Sequence, residues 1–192
     1  MRTLISILLF FHFFQGLAQE SWQDPTVLSI QKEPAHAQVL PLETDDYSAV
    51  DSRYFKDLRG EWQFYFYSNP FECPDNFHAP EYNTDDWGTI EVPANWELNN
   101  YGTPIYAGHN IAWQTSGESI SPPTHYNPTG LYRKQFDLPR KWDDKEVYLF
   151  FGSVSSAFSI WLNGHFIGYS QDSKLPAEFN ITPYLQDKNN VL

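Results

Sequence analysis

Between Leu58 and Tyr67 the chain alternates, with Trp62, Phe64 and Phe66 on one side of an extended backbone and Gln63, Tyr65 and Tyr67 on the other. That period of two predicts a strand with one face in a core. Shorter runs of the same character occupy Gly88 to Val92, Gly130 to Phe136, Lys145 to Gly152, Ala157 to Leu162 and His165 to Ser170. Between the last two stands Asn163-Gly164, the pair best suited to a two-residue turn whose central residues need positive φ, so a hairpin is predicted there. No stretch sustains a helical period, and only one short helical turn is expected, around Ile181 to Leu185. The class predicted is all-β.

From Pro93 to Thr129 the alternation stops. Pro93, Gly102, Pro104, Pro122, Pro123 and Pro128 punctuate the stretch, yet it carries Trp96, Tyr101, Tyr106, Trp113 and Tyr126. A structureless connection of that length is either disordered or functional, and its large aromatic residues argue against disorder. A long aromatic loop that something packs against is the expectation. The piece from residue 19 to 51 contains prolines and acidic residues and is expected to wrap over another surface, ahead of a sandwich domain over residues 52–192.

The extreme N-terminus differs from all of this. Arg2 is followed by an almost unbroken apolar run from Leu4 to Phe14 and then by Gly16, Leu17 and Ala18, the pattern of a signal peptide over residues 1–18, with cleavage after Ala18. The run is shorter than the ~20 residues a membrane-crossing helix needs; an N-terminal anchor is the alternative. A periplasmic or secreted location follows. About 170 residues then remain, enough for one compact domain. Cys73 is the single cysteine, which excludes an intramolecular disulfide and leaves the fold to its hydrophobic core.

With 12 Lys and Arg against 24 Asp and Glu, the net charge of −12 makes nucleic acid a poor partner. The acidic residues are spread in short pieces, as on a solvated surface. Seven Trp, 12 Tyr and 15 Phe would suit sugar stacking, but such rings also fill sandwich cores, and most are expected to be buried. His36, His125 and His165 are too scattered to suggest a metal site.

Several blocks, in order, carry a resemblance. They are Trp22-Gln-Asp-Pro25, Glu33-Pro-Ala-His-Ala37, Leu58-Arg-Gly-Glu-Trp62, Val92-Pro-Ala-Asn-Trp-Glu97, Tyr101-Gly-Thr-Pro-Ile-Tyr106, Asn127-Pro-Thr-Gly-Leu-Tyr-Arg133, Gly152-Ser-Val-Ser-Ser-Ala-Phe158 and Gly168-Tyr-Ser-Gln-Asp-Ser-Lys-Leu-Pro-Ala-Glu-Phe179. Together they resemble the N-terminal sugar-binding domain of glycoside hydrolase family 2, in its β-galactosidase branch. The resemblance implies a jelly-roll-like, galactose-binding-domain-like β-sandwich that precedes immunoglobulin-like and barrel domains. It also implies a parent enzyme that releases terminal non-reducing β-D-galactose residues from β-galactosides.

Retaining glycosidases need two carboxyl groups about 5 Å apart. In the family both are glutamates of the barrel, so no catalytic residue is expected in this chain, which ends on Val191-Leu192 where relatives run into another strand. A fragment, inactive alone, is the expectation. Glu97, Glu178 and Asp172 fall in blocks that fit caps and turns better than catalysis. Asp172 in particular is expected to brace the turn before Leu175-Pro176. By the resemblance, a loop asparagine after Pro-Ile-Tyr reaches the galactosyl group. Asn110 matches best, with His109 or Gly108 as alternatives because the spacing departs by about two residues, and backbone satisfaction is an equal reading of Asn110. Trp113 either stacks on a sugar or plugs the loop against a neighbouring domain. No cofactor is expected within this chain; Mg and Na belong to the longer parent, which can be a homo-oligomer. A stand-alone carbohydrate-binding module and a purely structural sandwich remain the alternatives.

Overall fold

The computed structural model describes residues 20–37, 53–104, 122–123 and 126–192. Its strands are β1 (Ser29–Ile30), β2 (Gly60–Tyr67), β3 (Gly88–Val92), β4 (Thr129–Arg133), β5 (Gln135–Phe136), β6 (Tyr148–Phe151), β7 (Ala157–Leu162), β8 (His165–Gln171), β9 (Ala177–Asn180) and β10 (Asn190–Val191). They form four antiparallel sheets in the orders β1-β8-β7, β3-β2-β4, β6-β9 and β5-β10. Short 3-10 turns are the helical elements among the described residues, one of them at Thr182–Tyr184 where the helical turn was expected. The fold is all-β.

The alternation in β2 is realised in burial. Trp62 and Phe64 are buried, and β2 is bonded on both sides, with Trp62 opposite Ile90 of β3 and Phe64 opposite Tyr132 of β4. Asn163 and Gly164 take φ of 53° and 83°, the left-handed values that an Asn-Gly hairpin turn requires, and β7 and β8 pair across it with a bulge beyond Ile160. The main core is drawn from β5 to β9, where Phe136, Leu149, Ile160, Leu162, Ile167, Phe179 and Ile181 pack together.

Three expectations need correction. The run Gly130 to Phe136 is two strands separated at Lys134, because β4 pairs with β2 while Lys134 exchanges two backbone hydrogen bonds with Leu192 and carries the chain onto β10. The run from Lys145 is extended only from Tyr148, since Lys145 closes a turn onto the Trp142 carbonyl. Aromatic burial is partial: Trp62, Phe64, Phe136, Tyr169 and Phe179 are buried outright among the described residues, while many others lie half-covered in ring-to-ring clusters, as bulky amphipathic rings do.

The arm from Glu20 to Ala37 does more than lie on a surface. Its β1 adds a third strand to the β7-β8 hairpin, with Ser29 opposite Ser170 and Ile30 opposite Tyr169. Backbone donors of Gln171 and Glu33 close the arm onto the Leu28 and Glu178 carbonyls at 3.1 and 2.8 Å. The signal segment 1–18 lies outside the described residues.

Candidate functional site

Asn110 and Trp113, with the alternatives Gly108 and His109, lie outside the described residues. What the structure does place are the two feet of their loop. The outgoing foot begins after β3, where Trp96–Asn99 form a 3-10 turn closed by the Tyr101 amide on the Trp96 carbonyl at 3.1 Å and ended by Asn100 at φ 67°. Its rings rest on β2. Tyr101 meets Phe64 edge-on at 4.7 Å and stacks on Phe66 at 6.1 Å, and Trp96 meets Phe66 edge-on at 5.7 Å.

The returning foot lands on the same strand end. The Asn127 amide donates to the Ser68 carbonyl at 2.9 Å, just past β2, and β4 then runs beside β2. Gly130 passes beneath the outgoing foot so closely that an added Cβ would stand 2.7 Å from the Phe64 ring and 2.8 Å from Trp96. Only a glycine lets the two feet meet there. Beside them, burial pushes the Tyr132 hydroxyl up to about 12, with the Glu97 carboxylate adding to the shift.

Two of the carboxylates weighed as catalysts, Asp172 and Glu178, have separate structural partners. Asp172 lies at 3.4 Å from the Lys174 amide, consistent with bracing the turn before Leu175-Pro176. Glu178 lies on β9 and meets His36 at 2.7 Å. Glu97 sits on the loop foot. Among the described residues no group of three or more His, Cys, Asp and Glu side chains could hold a metal ion, so no step through Mg or Na is assigned to them. His165 packs against the Tyr184 ring at 5.8 Å, and His125 lies outside the described residues.

Arg133 is a functional-looking residue that the sequence reading passed over. Its guanidinium is buried and donates to the carbonyls of Phe77, Ala79 and Pro80 at 3.2, 2.9 and 2.6 Å, pinning the connection between β2 and β3. Loss of water lowers its pKa, opposed by the charge of Glu81. Alternation puts Arg133 on the same side of β4 as the buried Leu131, but nothing in the sequence shows the three carbonyls that receive its charge there. Cys73 is a free, half-buried thiol pushed up to about 11 by burial and the Glu72 charge, which makes it a poor nucleophile.

The feet on β2, the hairpin and the paired arm define an all-β sandwich domain. The chain belongs to glycoside hydrolase family 2, whose sugar binding domain matches residues 55–192. It is 38% identical over 175 residues to a β-galactosidase of Priestia megaterium, covering 88% of this chain and 17% of that protein. It is 34% identical over 182 residues to a β-galactosidase of Vibrio cholerae (94% and 18%), and 34% identical over 192 residues to the β-galactosidase large subunit of Lactobacillus helveticus (91% and 30%). The chain thus spans between 17% and 30% of the length of these relatives.

In fold it resembles a Bifidobacterium dentium β-glucuronidase complexed with coumarin-3-O-glucuronide, with a TM-score of 0.51 at 19% identity over 70% of this chain and 18% of that one. A calcium binding mutant of Bacteroides uniformis β-glucuronidase 2 gives 0.50 at 23% over 71% and 14%. At those identities the likeness concerns the sandwich alone.

Proposed function

We propose that this chain is the N-terminal sugar-binding domain of a β-galactosidase, a retaining hydrolase that removes terminal non-reducing β-D-galactose residues. The observation that carries this reading is the identity of 33–38% to proteins named β-galactosidase, sustained over most of the chain. The domain contributes scaffold and one substrate-pocket loop, with Asn110 directed to the galactosyl hydroxyls and Trp113 supplying an apolar ring. The two carboxyl groups of a retaining mechanism come from elsewhere in the longer polypeptide, and these 192 residues alone are inactive. Any Mg or Na belongs to those other segments. Export through the signal peptide at residues 1–18 places the enzyme in the periplasm or outside the cell.

The test is hydrolysis of paired chromogenic substrates by the full-length product, a β-galactoside against a β-glucuronide. Preference for the galactoside is expected; preference for the glucuronide, or no glycosidase activity, would overturn the assignment. In the same enzyme Asn110→Ala should raise KM or lower kcat by about tenfold, the scale of one lost hydrogen bond to a sugar hydroxyl. Unaltered kinetics would leave the domain a purely structural role.

A further inference from the structure

Besides the pairing of β1 with β8 and the edge-on contact of Trp22 with Phe71, the N-terminal arm is attached to the sandwich through polar contacts that differ in chemistry. Gln171 holds the arm by its amide on the Leu28 carbonyl and by its side chain on the Val27 carbonyl at 2.6 Å. Lys32 donates to the Ser170 hydroxyl at 3.2 Å, and the Glu33 amide donates to the Glu178 carbonyl. The last contact joins His36 Nε2 to Glu178 Oε2, and histidine is the side chain that titrates near neutrality.

Each ring nitrogen of His36 faces an acceptor. Nδ1 lies 2.9 Å from the Ala37 carbonyl oxygen and Nε2 lies 2.7 Å from the Glu178 carboxylate. A neutral imidazole carries one N–H, so one of the two contacts would oppose lone pair to lone pair; only the imidazolium donates to both. The geometry points to His36 as a protonation-dependent clasp that closes the arm over β9 when charged and releases the arm's end, then β1, when neutral.

The surroundings favour the cation. Glu33 faces His36 from the arm and Glu178 from β9, while Tyr148 on β6 feels both carboxylates and donates to Glu146 at 3.1 Å. Lys32, the nearby cation on the arm, is engaged by Ser170. The Ala37 carbonyl and then Glu178 raise the His36 pKa above its ordinary 6.5. A raised folded-state value means that the clasp contributes fully below about pH 6.5 and is lost as pH rises through the folded value. His36 is exposed, so the response is local to the arm and leaves the sandwich core unaffected.

Hydrogen exchange read by mass spectrometry on the whole chain at pH 5.5 and 8.5, corrected for the chemical exchange rate, tests this. Peptides covering residues 28–37 should lose protection by roughly two- to five-fold at the higher pH, the scale of one exposed ion pair, while the β7-β8 hairpin holds. His36→Lys, which keeps its charge at pH 8.5, should retain protection there, and Glu178→Gln should remove the pH dependence. Equal corrected protection of residues 28–37 at both pH values, or a loss in His36→Lys matching the unsubstituted chain, would overturn the clasp.

Discussion

Replacing Asn190 by leucine tests what holds the last described strand in place. Asn190 is fully buried, with no exposed surface. Its Oδ1 accepts from the Gln186 amide at 2.8 Å and from Asn163 Nδ2 at 2.9 Å, and its Nδ2 donates to the Gln186 carbonyl at 2.9 Å. Asn163 in turn accepts from the Val191 amide at 2.9 Å and donates to the Tyr184 carbonyl at 2.8 Å, so the hairpin turn and β10 are fastened through two asparagines. Leucine keeps the branched shape of the side chain at a larger volume and makes none of the three bonds. At about 1 kcal/mol for each, plus the cost of a buried amide and carbonyl left without partners, the expected loss is about 3–5 kcal/mol. That is a large part of the ~5–15 kcal/mol available to a domain. Urea unfolding followed by tryptophan fluorescence measures it directly. Asn190→Ala separates the causes: a polar origin makes alanine and leucine about equally damaging, whereas a packing origin spares leucine. A loss below about 1 kcal/mol in Asn190→Leu would refute the argument that this network, rather than the apolar contacts of Val191, holds β10.

Two further outcomes are expected. Arg133→Lys keeps the charge but cannot fork onto the carbonyls of Phe77, Ala79 and Pro80, so it should cost about 2 kcal/mol and open residues 74–87 to limited proteolysis; unchanged cleavage there would show that other contacts hold the loop. Cys73, at about 11 against an ordinary 9.0, should react with iodoacetamide at pH 8 about 100-fold more slowly than an exposed thiol, because its thiolate fraction is smaller by that factor. Its neutral form is the one favoured by folding, so stability should fall as pH rises above about 9, and labelling at the free-thiol rate would contradict the burial.

The elements legible in the sequence are those whose side chains declare a face. Trp62, Phe64 and Phe66 announce β2, and Asn163-Gly164 announces the hairpin, because one face is apolar or one turn needs left-handed φ. Unseen were β1, β9 and β10, of two to four residues, too short to show a period. Ser29-Ile30 pairs only because β8 offers it an edge, and Asn190-Val191 only because Asn163 and Lys134 receive it. Such strands are decided by partners distant in sequence rather than by their own pattern. The prolines and glycines from Pro93 to Thr129 predicted a loop, most of which lies outside the described residues. Its feet were not, since nothing in the sequence says that Trp96 and Tyr101 descend on Phe64 and Phe66 while Gly130 slides beneath them.

If the domain lends a loop to a sugar pocket, as proposed, those feet explain how it can do so. Both stand on β2, the central strand of its sheet, bonded to β3 on one side and β4 on the other. The separation of the two feet is therefore set by ladder hydrogen bonds and aromatic packing. Closing a loop of this length on a mobile base would oppose every contact it makes with the entropy of bringing its ends together. Here the two ends are held by folding, before any ligand arrives, so on the proposed reading a residue between Pro104 and Pro122 would meet a sugar from a fixed base. The aromatic surplus then has a physical purpose that composition did not reveal. Trp96, Tyr101 and Phe66 lie half-covered against one another and against the buried Phe64, riveting the two feet to β2 instead of forming a flat exposed platform. On that proposed reading, the chemistry of sugar recognition would rest on one or two side chains between the feet, because the fold behind them already limits where those side chains begin.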